Sequence, residues 1–166
     1  MGILARLLNY VPRNERHGLD LGSSQRWELS TVTDASRFLR ALSSLIPAGC
    51  NLYVEGTNDG SVATWLRARP APSTTRVAIG TIWPRPNTHH MLATQENLDN
   101  LAAFLEANGI HYPWSHVHVY REDSMLVSWH DAFDNPIYVA GSVEEPQVAA
   151  FCRMTDCEYS QVERAS

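Results

Sequence analysis

Apolar positions along the chain switch between a helical and a strand period, and each switch marks an element. Ile3, Leu4, Leu7, Leu8 and Val11 predict a short amphipathic helix over residues 3 to 10, ended by Pro12. A polar stretch runs from there to Gln25, so residues 1 to 25 read as a helix plus a surface loop, and residues 26 to 166 as one domain. Phe38, Leu39, Leu42, Leu45 and Ile46 form one stripe of a helix capped by Thr33 or Asp34 and stopped by Pro47. Leu52 to Glu55 is a strand, and Asn58-Asp59-Gly60 caps a helix carrying Val62, Trp65 and Leu66. Val77 to Trp83 is apolar on both faces and predicts a central strand, with Ala78 and Gly80 leaving room for a close neighbour. His90 to Leu92 resumes the sheet. Thr94 opens a helix with Leu98, Leu101, Ala102 and Leu105 inward, and Asn108-Gly109 stops it.

The clearest alternation lies between residues 116 and 131. With residues 122 to 124 as a three-residue loop, Arg121 faces Met125, Val119 faces Val127, Val117 faces Trp129 and His116 faces His130. One face then carries Val117, Val119, Val127 and Trp129. The other carries His116, His118, Tyr120, Leu126, Ser128 and His130. Ile137 to Ala140 adds a third strand, Ser142 and Glu145 match a capping box for a last helix with Val148, Phe151 and Cys152 inward, and residues 158 to 162 are a candidate terminal strand. Helices interleaved early and a meander late predict an α+β domain: a mixed sheet, a C-terminal antiparallel meander, and four or five helices.

Composition narrows the function. All 13 basic residues are arginine, which removes lysine Schiff-base chemistry and the phosphate-loop lysine. Residues 111 to 166 carry nine carboxylates against three arginines, near −6, which leaves the first two thirds near +1 of a total of −5. An acidic end repels phosphate backbones and suits a basic protein partner, so nucleic acid is not an expected ligand. The opening apolar run is too short for a membrane span or a signal-peptide core. Cys50, Cys152 and Cys157 contain no CxxC pair, and a reduced cytoplasmic setting fits them. Cys152 sits on an apolar stripe, and nothing near Cys157 in sequence would activate it.

Four features could carry chemistry. His116, His118 and His130 are a three-ligand platform for a divalent metal, or simply a polar sheet face; Asp131 points away from His130 and is not a natural fourth ligand. Glu55-Gly56-Thr57-Asn58-Asp59-Gly60 joins a strand end to a helix start, where ligands often sit, but reads first as a turn and cap. Trp83-Pro84-Arg85-Pro86 and Tyr112-Pro113-Trp114 are stiff aromatic loops of the sort that anchor interfaces or plug sheet ends. There is no GxSxG elbow and no GxGxxG loop.

His118, Tyr120, Trp129, His130, Asp131, Phe133, Pro136, Tyr138, Ser142, Glu144, Glu145 and Phe151 give the last third a resemblance to the closing segment of small acidic bacterial immunity or antitoxin-type proteins and uncharacterised relatives. The resemblance has no diagnostic motif. It implies a non-catalytic protein that presents carboxylates and aromatics to a basic toxin. The leading expectation is thus a cofactor-free binding protein using Glu122, Asp123, Asp134, Tyr112 and Trp114. The alternative is a small metal-dependent hydrolase using His116, His118 and His130, in which the ion would lower the pKa of bound water.

Overall fold

In chain order the elements are β1 (Arg26–Leu29), α1 (Ala35–Leu42), β2 (Asn51–Thr57), α2 (Gly60–Arg67), β3 (Thr88–Leu92), α3 (Gln95–Ala107), β4 (Trp114–Arg121), β5 (Ser124–Trp129), β6 (Ile137–Ala140), α4 (Glu145–Thr155) and β7 (Tyr159–Val162). They come from a computed structural model that describes residues 18–21, 25–73, 75–81 and 84–162. The helix expected over residues 3 to 10 lies outside the described residues. Among those residues the seven strands form one sheet, in the order β3-β2-β4-β5-β6-β1-β7. No described helix is long and apolar enough to cross a membrane.

Every strand pairing is antiparallel, so the sheet is not mixed. The difference lies in residues 77 to 81, the described part of the expected central strand. Val77 makes only an isolated parallel bridge with Leu19, and the described residues from Val77 to Thr81 contribute no strand to the sheet. They form a strap over the face of the sheet that the helices leave open, held by Leu19 N–H to Arg76 O (2.8 Å) and Ala78 N–H to Leu19 O (3.3 Å). An apolar run satisfied on both sides need not be a strand; here one side meets the sheet.

The helical layer is built as its patterns dictate. Asp34 caps α1 by accepting from Ser36 N–H (2.8 Å) and Arg37 N–H (3.0 Å), and Thr94 Oγ1 caps α3 through Asn97 N–H (3.2 Å). Gly109 ends the α3 segment at φ +65°, a conformation that favours glycine. The cap of α4 is Glu144 rather than Ser142: its N–H donates to Gln147 Oε1 (3.2 Å), and Pro146 sits in the first turn, where no N–H is needed. Buried Phe38 joins α1 to the sheet and to α4, with ring centroids 4.9 Å from Trp129 and 5.9 Å from Phe151. Such ring pairs add about 0.5–1.5 kcal/mol beyond area burial.

The hairpin keeps its expected faces except at Leu126, which was expected beside the histidines, and it shifts register at its tip. Val117 pairs with Trp129 and Val119 with Val127, all four buried against the helices. Tyr120, however, pairs with Met125 and Arg121 with Ser124, so the loop is only Glu122 and Asp123, with Glu122 at φ +52°. Leu126 is the extra residue of the resulting β-bulge. It packs toward the helical core, while Met125 joins Tyr53, Tyr120 and Val77 beneath the strap.

Candidate functional site

Two layers of polar chemistry meet at one end of the sheet. The first is buried. Period-two alternation puts Tyr53 and Glu55 of β2 beside His116 and His118 of β4 on the strap face. Glu55 is 0% exposed, and its carboxylate accepts from Tyr53 Oη (3.1 Å), Gly80 N–H (3.1 Å) and Thr81 N–H (2.6 Å). The small residues of the strap allow this approach. A Cβ on Gly80 would lie 2.9 Å from His116 Nε2 and from His130 Nδ1.

The three histidines stand together on this face, as expected, but two of them are covered. His116 and His118 are buried, His130 is exposed, and the ring centroids are 4.6 Å apart for His118 and His130 and 5.3 Å for His116 and His130. Burial, then the neighbouring His130 and His116, hold His118 well below the ordinary histidine range, and burial followed by His116 lowers His130. Both ring nitrogens of His118, 1% exposed, lack a hydrogen-bond partner.

His116 is fully committed within the chain. Its Nδ1 accepts the Asp131 N–H (2.9 Å), and its Nε2 lies 3.1 Å from Thr81 Oγ1 and 3.8 Å from Glu55 Oε1. An Nδ1 that accepts leaves the proton of neutral imidazole on Nε2, where it is donated toward Thr81. In that tautomer His116 has no lone pair for the Thr81 hydroxyl and cannot act as its general base. The metal alternative fares no better: among the described residues no group of three or more His, Cys, Asp or Glu side chains is arranged to hold an ion. His89 and His90 belong to β3 and His111 to an exposed loop; His90 Nδ1 is bound to Tyr120 Oη (2.8 Å).

The second layer is open. The Asp131 amide that binds His116 starts a loop whose Ala132 N–H donates to Ser115 O (2.7 Å) and whose Asn135 carbonyl accepts Trp129 Nε1–H (2.9 Å). These bonds hold Asp131 at φ +44° and Phe133 at φ +81°, non-glycine conformations that cost on the order of 1 kcal/mol or more each. Phe133 is thereby packed on Trp129 (centroids 4.8 Å) and edge-on to Tyr112 (5.2 Å). The result is a cleft of about 420 Å³ lined by Asn58, Tyr112, Trp114, Phe133, Asp131 and Asp134, with Ser115 and Ala132 completing its wall. Tyr112 is 59% exposed and both aspartates are exposed. Trp114, expected as a projecting anchor, is 1% exposed and serves as wall. Asn58 fixes the Tyr112 side, its side-chain amide donating to Tyr112 O (3.1 Å) and its backbone N–H to Pro113 O (3.0 Å).

A neighbouring hollow of about 450 Å³ shares Asn58 and Ser115 and continues to Thr81, Pro84, Arg85 and Asn87. Three stretches that are far apart in sequence, residues 55 to 60, 84 to 86 and 112 to 114, thus converge at this end of the sheet. Trp83 lies outside the described residues. Glu122 and Asp123 do not join them. They occupy the β4–β5 turn at the other end of β4, about 23 Å away at the usual strand rise. Ser115, Asp131, Ala132 and Phe133 line the cleft although sequence reasoning did not assign them to binding, and the left-handed backbone of Asp131 and Phe133 is invisible in an Asp-Ala-Phe string.

No family model matches the chain, and no curated protein or solved structure is significantly similar to it.

Proposed function

We propose that this chain is a non-catalytic binding protein that takes a cationic side chain of a basic protein partner into the cleft between residues 112–115 and 131–134, in the manner of a toxin-neutralising immunity protein. The observation that carries the reading is the pairing of exposed Asp131 and Asp134 with the Tyr112 and Phe133 rings around one cleft. An arginine or lysine head there meets carboxylates, and an aromatic face adds about 0.5–1 kcal/mol at an exposed site and more when desolvated. The strained loop supports the same reading, because backbone held in sparse conformations by several bonds is concentrated at clamps and recognition sites. Glu122 and Asp123, remote from the cleft, would act through the field of the acidic C-terminal third, which speeds encounter more than it tightens the complex.

Isothermal titration of the purified protein with a tetra-arginine peptide, a tetra-lysine peptide and a tetra-glutamate peptide tests this. Saturable binding of the cationic peptides, lost in Asp131→Asn/Asp134→Asn and retained in Glu122→Gln/Asp123→Asn, is expected. Equal binding by wild type and the Asp131→Asn/Asp134→Asn variant, or a preference for tetra-glutamate, would overturn it.

A further inference from the structure

The end of α4 places two thiols against each other. The helix closes with Asp156 in the left-handed conformation at φ +58°, and the N–H groups of Asp156 and Cys157 both turn back to the Cys152 carbonyl, the latter at 3.2 Å. This is a Schellman-type ending, in which the residue just beyond the left-handed position folds onto the residue one turn back. That contact is usually apolar. Here it is made by Cys157 and Cys152, whose sulfurs share a hydrogen bond at 2.8 Å. The Thr155 hydroxyl lies 3.3 Å from Cys157 Sγ.

The two thiols differ in the ways a reactive pair requires. Cys152 is buried and Cys157 partly exposed, while Cys50 is buried elsewhere in the core. We propose that Cys157 and Cys152 form a peroxide-reactive dithiol, with Cys157 as the attacking sulfur and Cys152 as the resolving one. The shared hydrogen bond with Cys152, followed by that with Thr155, brings Cys157 down to about 7, and the same bond, with burial, raises Cys152. A lowered Cys157 favours the thiolate, the form that attacks.

In the first step the Cys157 thiolate attacks a hydroperoxide: an S–O bond forms, the O–O bond breaks, hydroxide or alkoxide leaves, and the sulfur is oxidised to sulfenic acid as the peroxide is reduced. In the second, Cys152 attacks that sulfur: the S–S bond forms, the S–O bond breaks, and the departing hydroxide takes the Cys152 proton as water. Two thiols and one peroxide give one disulfide, one water and one further water or alcohol. The product ties the last turn of α4 to the link that leads into β7, the strand that edges the sheet beside β1.

The test treats the whole chain with stoichiometric hydrogen peroxide, alkylates remaining thiols and maps tryptic peptides. Cleavage after Arg153 separates the two cysteines, so the expected disulfide appears as a linked peptide pair that reductant splits, with Cys50 still alkylated. Alkylation of Cys157 should rise with pH to half its maximum near 7. Cys152→Ala, if folded by far-ultraviolet dichroism, should leave a sulfenic acid on Cys157 that a cyclic dione traps, and Cys157→Ser should abolish peroxide consumption. Two free thiols in treated wild type, a linkage through Cys50, or Cys157 alkylation that rises only near pH 9 would each overturn the assignment.

Discussion

Replacing Glu55 by glutamine probes how the buried layer holds the strap to the sheet. The carboxylate accepts three hydrogen bonds in a site with no solvent exposure, two of them from consecutive strap amides, Gly80 and Thr81. Glutamine keeps the volume but turns one acceptor oxygen into a donor. The Tyr53 hydroxyl can rotate to suit, whereas a backbone N–H cannot, so at least one strap amide loses its acceptor. A hydrogen bond to a charged group contributes about 1.5–3 kcal/mol, and an orphaned buried donor forfeits a similar amount, which puts Glu55→Gln at about 2–3 kcal/mol. Glu55→Ala, which orphans all three donors, should reach about 3–5 kcal/mol. Urea unfolding gives the total, and hydrogen exchange of the Gly80 and Thr81 amides says whether the strap opens first. Both amides should lose protection in the glutamine variant before the β4 and β5 amides do. A change in unfolding free energy within about 0.5 kcal/mol, with both strap amides as protected as in wild type, would refute the reasoning.

Three further outcomes follow from the same layer and surface. Burial holds His118 and His130 below the ordinary histidine value of 6.5, with burial also lowering His89 and His90, so the unfolded chain binds more protons and stability should fall as pH drops below about 6.5, by at most about 1.4 kcal/mol per pH unit for fully buried His118 and by less for the other three, which solvent screens; urea midpoints unchanged between pH 7.5 and 5.5 would contradict this. Gly80→Ala forces a methyl to within 2.9 Å of His116 and His130, an overpacking that should cost about 1–3 kcal/mol in urea unfolding, and an unaffected midpoint would show that the strap is not seated there. For a basic partner, Glu122→Arg/Asp123→Arg should slow association in stopped-flow and flatten its salt dependence while leaving dissociation nearly unchanged; a faster dissociation would place the turn inside the contact rather than outside it.

The alternation of the β4–β5 hairpin was legible because both strands bury one face, which makes a one-residue slip expensive. Its tip was not, because the bulge at Leu126 trades a longer loop for a two-residue one without altering the apolar pattern. The run from Val77 to Thr81 was misread for a reason that applies widely: apolar residues on both sides suit a central strand and a strap pressed on a sheet equally well. β1 was missed as a strand because Arg-Trp-Glu-Leu is only four residues long, and Trp27 and Leu29 show their inward face only once β6 and β7 flank them. Within the candidate site, Tyr112 and Asp134 could be chosen by residue type, but their partnership with Asp131 and Phe133 depends on two left-handed residues held by Ser115 and Asn135. The three histidines were grouped correctly, yet the cover that buries two of them comes from a strap more than thirty residues earlier in the chain.

The proposed capture of cations at the cleft of Tyr112, Phe133, Asp131 and Asp134 is tested most directly by a ¹⁵N–¹H correlation spectrum recorded while an arginine-rich peptide is added. Progressive shifts confined to residues 112–115 and 131–135 and to Asn58, saturating and reversed by salt, are the predicted result. Shifts centred on Glu122 and Asp123, or spread evenly over the acidic C-terminal third without saturation, would contradict it.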